Sequence, residues 1–316
     1  MKTSTKDFFQ HYGRQVGTFL GLVGLSAILW VLSPHFLTVS NLLNVAQQTA
    51  INAIIAVGMT FVIITAGIDL SVGSIVALSG VALGSALQSG VPLPLALLIA
   101  LGVGLFCGML NGLLITLGRL PPFISTLGMM SVARGAALMY TQGRPVSGFE
   151  ESFRFLANGE ILKIPSPIVI MLGIYLLAHF ALTRTKLGRY AYAIGGNEQA
   201  ALLSGVNTRF YKCVIYGLSG MLSGLAAIIL TARLNSAQPI AGIMYELDAI
   251  AAAVIGGTSL MGGEGSVIGT LIGALIMGVL RNGLNLLGVS SFLQQIVIGS
   301  VIIVAVLLDM MLKKQK

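Results

Sequence analysis

A long stretch without charge is the feature that most limits what this chain can fold into. Residues 15–68 contain no Lys, Arg, Asp or Glu, and residues 70–118 form a second such stretch. About 20 consecutive apolar residues cross the hydrocarbon core of a bilayer, so each stretch is long enough for two crossings. Over the whole chain 56% of the residues are hydrophobic and only 9% are charged, which is too few charges to cover a water-soluble globule of this size. The sequence therefore predicts an integral membrane protein.

Turn signals divide the apolar sequence into about ten predicted transmembrane helices. Ser33-Pro34-His35 breaks the first stretch and Val91-Pro92-Leu93-Pro94 breaks the second, because proline resists helix continuation. Further apolar runs follow at 123–141, 164–183, 213–232, 247–262, 266–283 and 292–308. We predict an all-α polytopic membrane protein in which residues 1–316 form a single transmembrane domain.

Glycine supplies 40 of the 316 residues. This content favours a bundle of closely packed helices rather than a β-barrel. The pattern is least regular in the eighth and ninth runs, where Gly256, Gly257, Gly262, Gly263 and Gly265 interrupt it. Such glycines mark either a plain turn or a pair of broken helices.

A short motif occurs twice in the chain. Asn111-Gly112-Leu113, followed by Leu117-Gly118, ends the fourth predicted helix, and Asn282-Gly283-Leu284, followed by Leu287-Gly288, ends the ninth. An odd number of crossings separates the copies, so the second copy would be inverted in the membrane, as in many transporters. Chance similarity between Gly- and Leu-rich helices is the alternative.

The distribution of Lys and Arg predicts the orientation. With the N-terminus inside the cell, twelve of the eighteen basic residues lie on the cytoplasmic side, as expected because basic residues beside a span are retained there. The first apolar run is too long for a signal-peptide core and no cleavage site follows it, so we expect an uncleaved first span and both termini in the cytoplasm.

Motifs of enzymes are not present in the sequence. The chain has no phosphate-binding loop, dinucleotide fingerprint, nucleophile elbow or zinc-protease helix, and its three histidines are far apart. Cys107 and Cys213 both fall in apolar runs and predict neither a disulfide nor a metal site. Basic residues form no stripe with interleaved aromatics, which argues against nucleic acid. We expect no cofactor in this chain and no hydrolysis of ATP by it.

The second predicted helix carries a polar face. Asn41, Asn44, Gln47, Gln48 and Asn52 fall within roughly 140° of one another at 100° per residue. Neutral amides hydrogen-bond a neutral, hydroxyl-rich solute without trapping it as a buried charge would. The face therefore predicts a translocation pathway, and hydrogen bonds to neighbouring helices are the alternative for any single amide.

The segment Gly67–Ser74 links the second and third predicted helices. Asp69 or Ser71 can accept hydrogen bonds from free amides at the start of the third helix, and a carboxylate there complements the helix dipole. Direct contact with the solute is the second interpretation for both residues. Glu246 and Asp248, at the start of the eighth run, have the same capping interpretation.

The loop of residues 184–212 predicts a compact helix in the cytoplasm. Asn197 is a good N-cap, Glu198 suits a first turn, Gln199–Ser204 form the helix and Gly205 stops it. A helix of about two turns is marginal in water alone, so we expect a partner groove to hold it. An ordinary polar connector is the alternative. The outer loop of residues 143–164 has mixed charge and is either a docking surface or a plain loop.

Four stretches carry a resemblance to a known family. ITAGIDLSVGSIVALSG (64–80), LGRYAYAIGGNEQAALLSGVNT (187–208), YELDAIAAAVIGGTSLMGGEGSVIGTLIGA (245–274) and NGLNLLGVSSF (282–292) resemble the ribose-type permeases of bacterial ABC sugar importers. Asp69–Gly73 match the D-L-S-V-G signature of that family. The residues that match its coupling-loop pattern are Gly196, Asn197, Glu198, Ala200, Ala201, Ser204 and Gly205.

The resemblance implies a ten-span permease in the bacterial inner membrane, paired with a second copy as a homodimer. It also implies a separate ATPase subunit that uses ATP and Mg²⁺ and docks on the coupling loop, and a periplasmic binding protein that delivers a monosaccharide. The pattern is closest to ribose permeases, while permeases for xylose, galactosides, allose and signalling furanoses share much of it. An ion-coupled secondary sugar transporter is the alternative function.

Overall fold

The computed structural model describes residues 5–314, with side chains at 15–307 and 310–311. In this range the chain forms thirteen helices and four two-residue strands. The helices are α1 (Thr5–Leu32), α2 (Val39–Ile64), α3 (Val72–Gln88), α4 (Leu93–Thr116), α5 (Pro122–Thr141), α6 (Glu151–Asn158), α7 (Ser166–Arg184), α8 (Lys186–Gly196), α9 (Glu198–Leu203), α10 (Thr208–Leu234), α11 (Tyr245–Ile255), α12 (Val267–Leu286) and α13 (Ser291–Lys314). The strands are β1 (Val146–Ser147), β2 (Glu160–Ile161), β3 (Ile164–Pro165) and β4 (Ser236–Ala237).

The helical, polytopic fold agrees with the sequence-based prediction. Each predicted apolar run contains one helix, and the two proline-marked breaks fall between α1 and α2 and between α3 and α4. Among the described residues, six helices are both long and apolar enough to cross a membrane: α1, α2, α4, α7, α10 and α12. The apolar parts of α3 and α13 are shorter, so a total of ten crossings stays a prediction.

The prediction of a full crossing at residues 247–262 is wrong, because the helix in this run is too short to cross a bilayer. This helix, α11, has 11 residues, which at 1.5 Å per residue spans about 16 Å of a hydrocarbon core about 30 Å thick. Gly257, Gly262 and Gly263 have φ values of +91°, +82° and +75°, a region that a helix does not use and that glycine enters without a steric penalty. The glycine run therefore forms a loop from 256 to 266 between α11 and α12, and α11 is a short, broken helix.

Helices α2 and α10 form the centre of the molecule. Inside the protein, 83% of the α2 span is buried, against 6% of the α1 span, which lies at the periphery. Helix α4 packs closely on α10 through Gly104, Gly108 and Gly112, where an added Cβ would collide with the backbone of α10. This is the close packing that the glycine content predicted.

The connecting segments gather at two opposite ends of the bundle. At one end β1 pairs with β4, and Gln88 before the α3–α4 turn donates to Ser147 O over 3.0 Å. At the other end Tyr192 of α8 donates to Gly265 O over 2.7 Å, so the 184–212 loop lies beside the glycine loop. The two loops that the sequence placed on opposite sides of the membrane, 143–164 and 184–212, thus lie at opposite ends.

Residues 143–164 are folded rather than a plain loop. The segment holds β1, the amphipathic helix α6 and the β2 strand of a small hairpin with β3. Phe153 of α6 is buried, and its ring lies edge-to-face with Phe149 at 5.4 Å between centroids. The segment is a cap packed on α7 and α10.

The two Asn-Gly-Leu motifs end α4 and α12. Asn111 donates to Ser71 Oγ over 2.9 Å at the start of α3, and Asn282 exchanges hydrogen bonds with Asn41 at the start of α2. Both asparagines are buried. The inverted repeat itself stays a prediction.

Candidate transport and coupling sites

The amide face of α2 divides into two parts with different surroundings. Asn41 and Asn282 exchange hydrogen bonds of 3.0 and 2.9 Å between α2 and α12, so Asn41 bonds a neighbouring helix, which was the alternative interpretation. Asn44 and Gln48 are exposed, and Gln47 is half-buried. Polar side chains on a membrane helix normally face a partner or an aqueous cavity rather than lipid. The assignment of Asn44, Gln47 and Gln48 to the pathway stays a prediction.

A cleft lies between α2, α11 and α12. Its cavity volume in this conformation is about 30 Å³, which is room for one or two water-sized groups. Two predicted pathway residues, Gln48 and Asn52, meet in it. The lining residues are Gln48, Thr49, Asn52, Asp248, Ala252, Ala274, Met277, Gly278 and Arg281.

An ion pair closes one side of the cleft. Arg281 Nη2 lies 2.8 Å from both carboxylate oxygens of Asp248, and Asn52 Nδ2 donates to Asp248 Oδ2 over 3.1 Å. The Asp248 side chain is 4% exposed and that of Arg281 is 39% exposed. A buried carboxylate needs such partners, since desolvation without them is costly.

The capping interpretation of Asp248 was therefore incomplete. Asp248 and Glu246 lie in the first turn of α11, but the N-cap residue Met244 makes no side-chain capping bond, and the Asp248 carboxylate is directed to Arg281. Sequence reasoning missed this pair because the glycine loop separates its two members. A basic residue within the apolar helix α12 was the only available signal.

Arg134, which lies within the predicted apolar run 123–141, has backbone partners. Its Nη1 donates to Pro239 O over 2.8 Å and to Ala241 O over 2.6 Å. The guanidinium thereby fixes the segment between β4 and α11 against α5.

Asp69 anchors a buried polar cluster. Its Oδ1 accepts from Ser71 N at 3.0 Å and from Ser71 Oγ at 2.5 Å, and its Oδ2 accepts from Ser219 Oγ of α10 at 2.9 Å. Asp69 thus accepts the amide of Ser71, the residue that precedes α3, and not an amide of α3 itself as the capping prediction had it. Ser71 precedes α3 without a capping bond of its own. Neither side chain is exposed in this conformation, and their assignment to the pathway stays a prediction.

The predicted cytoplasmic helix is α9, Glu198–Leu203, shifted by one residue from the predicted 199–204. Asn197 is its N-cap and accepts from Ala200 N at 2.9 Å. Gly205 has φ +84°, and Gly205 N and Val206 N donate to Leu202 O and Ala201 O, which ends the helix. Of the remaining coupling-loop residues, Gly196 ends α8, and Ser204 Oγ donates to Ala200 O over 2.9 Å.

Helix α9 has an apolar exposed side. Leu202 and Leu203 are 59% and 89% exposed, while Glu198 accepts from Lys212 Nζ at 2.5 Å and ties α9 to the start of α10. A groove beside α9 is lined by Arg119, Leu120, Glu198, Leu202, Arg209 and Lys212, among others. Exposed leucines beside an open groove fit a docking surface.

The backbone of α8 touches the membrane bundle directly. An added Cβ at Gly195 would collide with Ile64 O at the end of α2, and Gly263 N donates to the same carbonyl over 2.9 Å. Tyr192 reinforces the contact through its bond to Gly265 O, and burial raises the pKa of its phenol. The coupling loop, α2 and the glycine loop therefore meet at one point.

Across the part of the chain that the structure describes, no three His, Cys, Asp or Glu side chains are grouped as metal ligands. Cys107 is buried and Cys213 half-buried, both as free thiols.

Known proteins similar to this chain are transport proteins. The family described as branched-chain amino acid transport system / permease component matches residues 41–306. The ribose import permease protein of Bacillus subtilis (strain 168) is 53% identical over 298 residues, covering 94% of this chain and 92% of that protein. The ribose import permease protein of Haemophilus influenzae is 48% identical, covering 100% and 99%. The D-allose transport system permease protein of Escherichia coli (strain K12) is 40% identical, covering 97% and 94%. No solved structure gives a significant match.

Proposed function

The chain belongs to the family described as branched-chain amino acid transport system / permease component, and we propose that it is the permease subunit of an ATP-driven ABC importer that translocates ribose. The observation that carries the proposal is 48 to 53% identity to ribose import permeases over nearly the whole chain. In this role the chain is a transport component and not an enzyme.

The choice of a sugar over an amino acid has support from the cleft. The family description names branched-chain amino acids, whereas the relatives at 53% and 48% identity are named for ribose. An amino acid zwitterion needs a counter-charge for each of its two ends, but Arg281 and Asp248 already neutralise each other. The amides of α2 suit a neutral, hydroxyl-rich solute. Lower identity, 40% and 36%, to the allose and galactose permeases favours ribose among sugars.

The power for transport comes from a separate ATPase subunit that binds ATP and Mg²⁺. Its docking surface in this proposal is α9 with its exposed leucines and the adjacent groove. A partner that binds one packing of the permease more tightly than another shifts the equilibrium between them, and only such a difference drives movement. The contact of α8 with Ile64 and the glycine loop gives a short route from α9 to the bundle.

The remaining components complete the assembly. A periplasmic binding protein delivers the sugar at the end that carries β1, β4 and α6, and a second copy of the chain forms a homodimer. Exposure of Asn44 and Gln48 on α2 supports a further covering surface, because amides rarely face lipid. The protein lies in the bacterial inner membrane with α9 and both termini on the cytoplasmic side, as the basic residues indicate. The ion-coupled secondary transporter has no observation in its favour.

Uptake by the complete complex in liposomes tests the substrate. The permease is reconstituted with its ATPase and binding protein, and uptake of labelled ribose is measured while unlabelled ribose, allose, galactose or leucine competes. We expect ribose to compete at the lowest concentration, the hexoses only in excess and leucine not at all. Competition by leucine with no effect of ribose would contradict the proposal.

A further inference from the structure

We propose that the cleft between α2, α11 and α12 is a binding subsite for the hydroxyl groups of the transported monosaccharide, contacted by Thr49, Asn52 and Arg281. The inference rests on the proposed function and adds Thr49 and Arg281, which the sequence did not single out, to the predicted pathway residue Asn52. It is carried by unpaired polar atoms that share one cavity.

Two acceptors lie in the cleft without a protein partner. Thr49 Oγ1 and Asn52 Oδ1 are buried and have no hydrogen bond to any described residue. Thr49 as a whole is only 3% exposed. Leaving a buried polar atom unpaired is unfavourable, and native proteins rarely do so without a functional reason. Both residues line the same cavity.

Donors face the same space. Arg281 uses only Nη2 to bind Asp248 within the described part of the chain, and a guanidinium has five N–H groups in all. At 39% exposure its remaining N–H groups are accessible. Gln48, exposed at the mouth of the cleft, adds an amide that both donates and accepts.

This mixture of groups selects a class of ligand. A hydroxyl group donates one hydrogen bond and accepts others, so adjacent hydroxyls can satisfy the acceptors of Thr49 and Asn52 while accepting from Arg281. Asp248 balances the charge of Arg281, so the cleft carries no uncompensated cation and suits a neutral polyol. In this conformation the cleft has room for one or two hydroxyl-sized groups, so it would take the hydroxyls at one edge of the sugar and not the whole ring.

Gly278 leaves room for the Thr49 hydroxyl. A Cβ added at Gly278 would collide with Thr49 Oγ1, so α12 approaches α2 here only because position 278 has no side chain. Gly278→Ala therefore blocks the hydroxyl sterically, whereas Thr49→Val removes it with little change of shape.

A binding assay on the purified permease–ATPase complex tests the subsite. The assay omits the binding protein and uses ribose and its monodeoxy analogues at millimolar concentration. The probe is labelled ribose in an equilibrium binding assay. We expect Thr49→Val to weaken ribose binding about threefold to tenfold, as loss of one hydrogen bond does, and Gly278→Ala to weaken it at least as much. Thr183→Val is the matched control, since Thr183 is exposed on α7 and its hydroxyl bonds its own helix; ribose binding should not change.

A double-mutant cycle separates contact from general damage. In Thr49→Val, one monodeoxy sugar should bind as well as ribose, because the sugar has lost the hydroxyl whose partner is already missing. The subsite would be overturned if Thr49→Val weakened the binding of ribose and of every deoxy analogue equally. It would also be overturned if the Thr49→Val complex bound ribose as tightly as the Thr183→Val control. That result would leave the proposed function standing if ATP-driven ribose uptake persists, whereas a wild-type complex without ribose uptake would refute the function itself.

Discussion

At the scale of single residues, the backbone conformation of Gly205 matters most for the proposed docking surface. With φ +84° it ends α9 and directs the chain toward α10. Side chains, and β-branched ones above all, are unfavourable in this region, at a cost of about 1–2 kcal/mol. Glu198, at the other end of α9, holds the helix to Lys212.

We therefore expect Gly205→Val and Glu198→Arg to lower ribose uptake several-fold through displacement of α9. The measurement is the number of ribose molecules transported per ATP hydrolysed in liposomes, where both variants should fall below the wild type. Gly90→Val is the control, because Gly90 has a similar φ of +80° and equal space around it but lies at the far end of α3. An unchanged ratio in both α9 variants would contradict the docking role.

Local residue preferences were enough to predict some of these features. Asn197 and Gly205 determine the ends of α9 through short-range hydrogen bonds, so the sequence contains that information. The pair of Asp248 with Arg281 depends on how the glycine loop folds α12 back onto α11, which local pattern cannot give. The unpaired Thr49 hydroxyl could not be predicted from the sequence either, because threonine in an apolar helix usually bonds its own backbone.

At the scale of helices, the contact of α8 with α2 and the glycine loop is the connection between the coupling loop and the bundle. Gly195, Ile64 and Gly263 approach one another through their backbones. Backbone contacts of this kind are rigid, because no side chain can change rotamer to absorb a displacement. A shift of α9 would therefore move the end of α2.

Gly195→Ala tests this connection. The added methyl group would collide with Ile64 O, so α8 must separate from α2. We expect ATPase activity to persist while ribose uptake falls several-fold. Gly173→Ala on α7, where an added Cβ meets nothing within 4 Å, should leave both rates unchanged. Parallel loss of ATPase and uptake in Gly195→Ala would indicate a folding defect, and unchanged uptake would remove the contact from the mechanism.

The helices themselves were predictable to different degrees. Charge-free runs and prolines located α1, α2, α4, α7, α10 and α12, because about 20 apolar residues leave few other solutions in lipid. The extent of α11 was not predictable, since glycines in an apolar run are compatible with both a helix and a loop. Helix α6 was missed because its apolar side is only a few residues long and its burial depends on α7 and α10.

At the scale of the whole molecule, the two ends of the bundle carry different structures. One end carries the folded cap of β1, α6 and β4, and the other carries α8, α9 and the glycine loop. The cleft of Thr49, Asn52 and Arg281 lies along α2 between them. A gate of this design needs external work to move solute against a gradient, and the chain has no nucleotide-binding motif to supply it.

Accumulation of ribose in sealed liposomes tests that dependence most directly. The permease is reconstituted alone, with proton and sodium gradients imposed in turn, and then with its ATPase, binding protein and ATP. The account predicts internal ribose above the external concentration only in the complete, ATP-supplied system. Accumulation by the isolated permease under either ion gradient would contradict it.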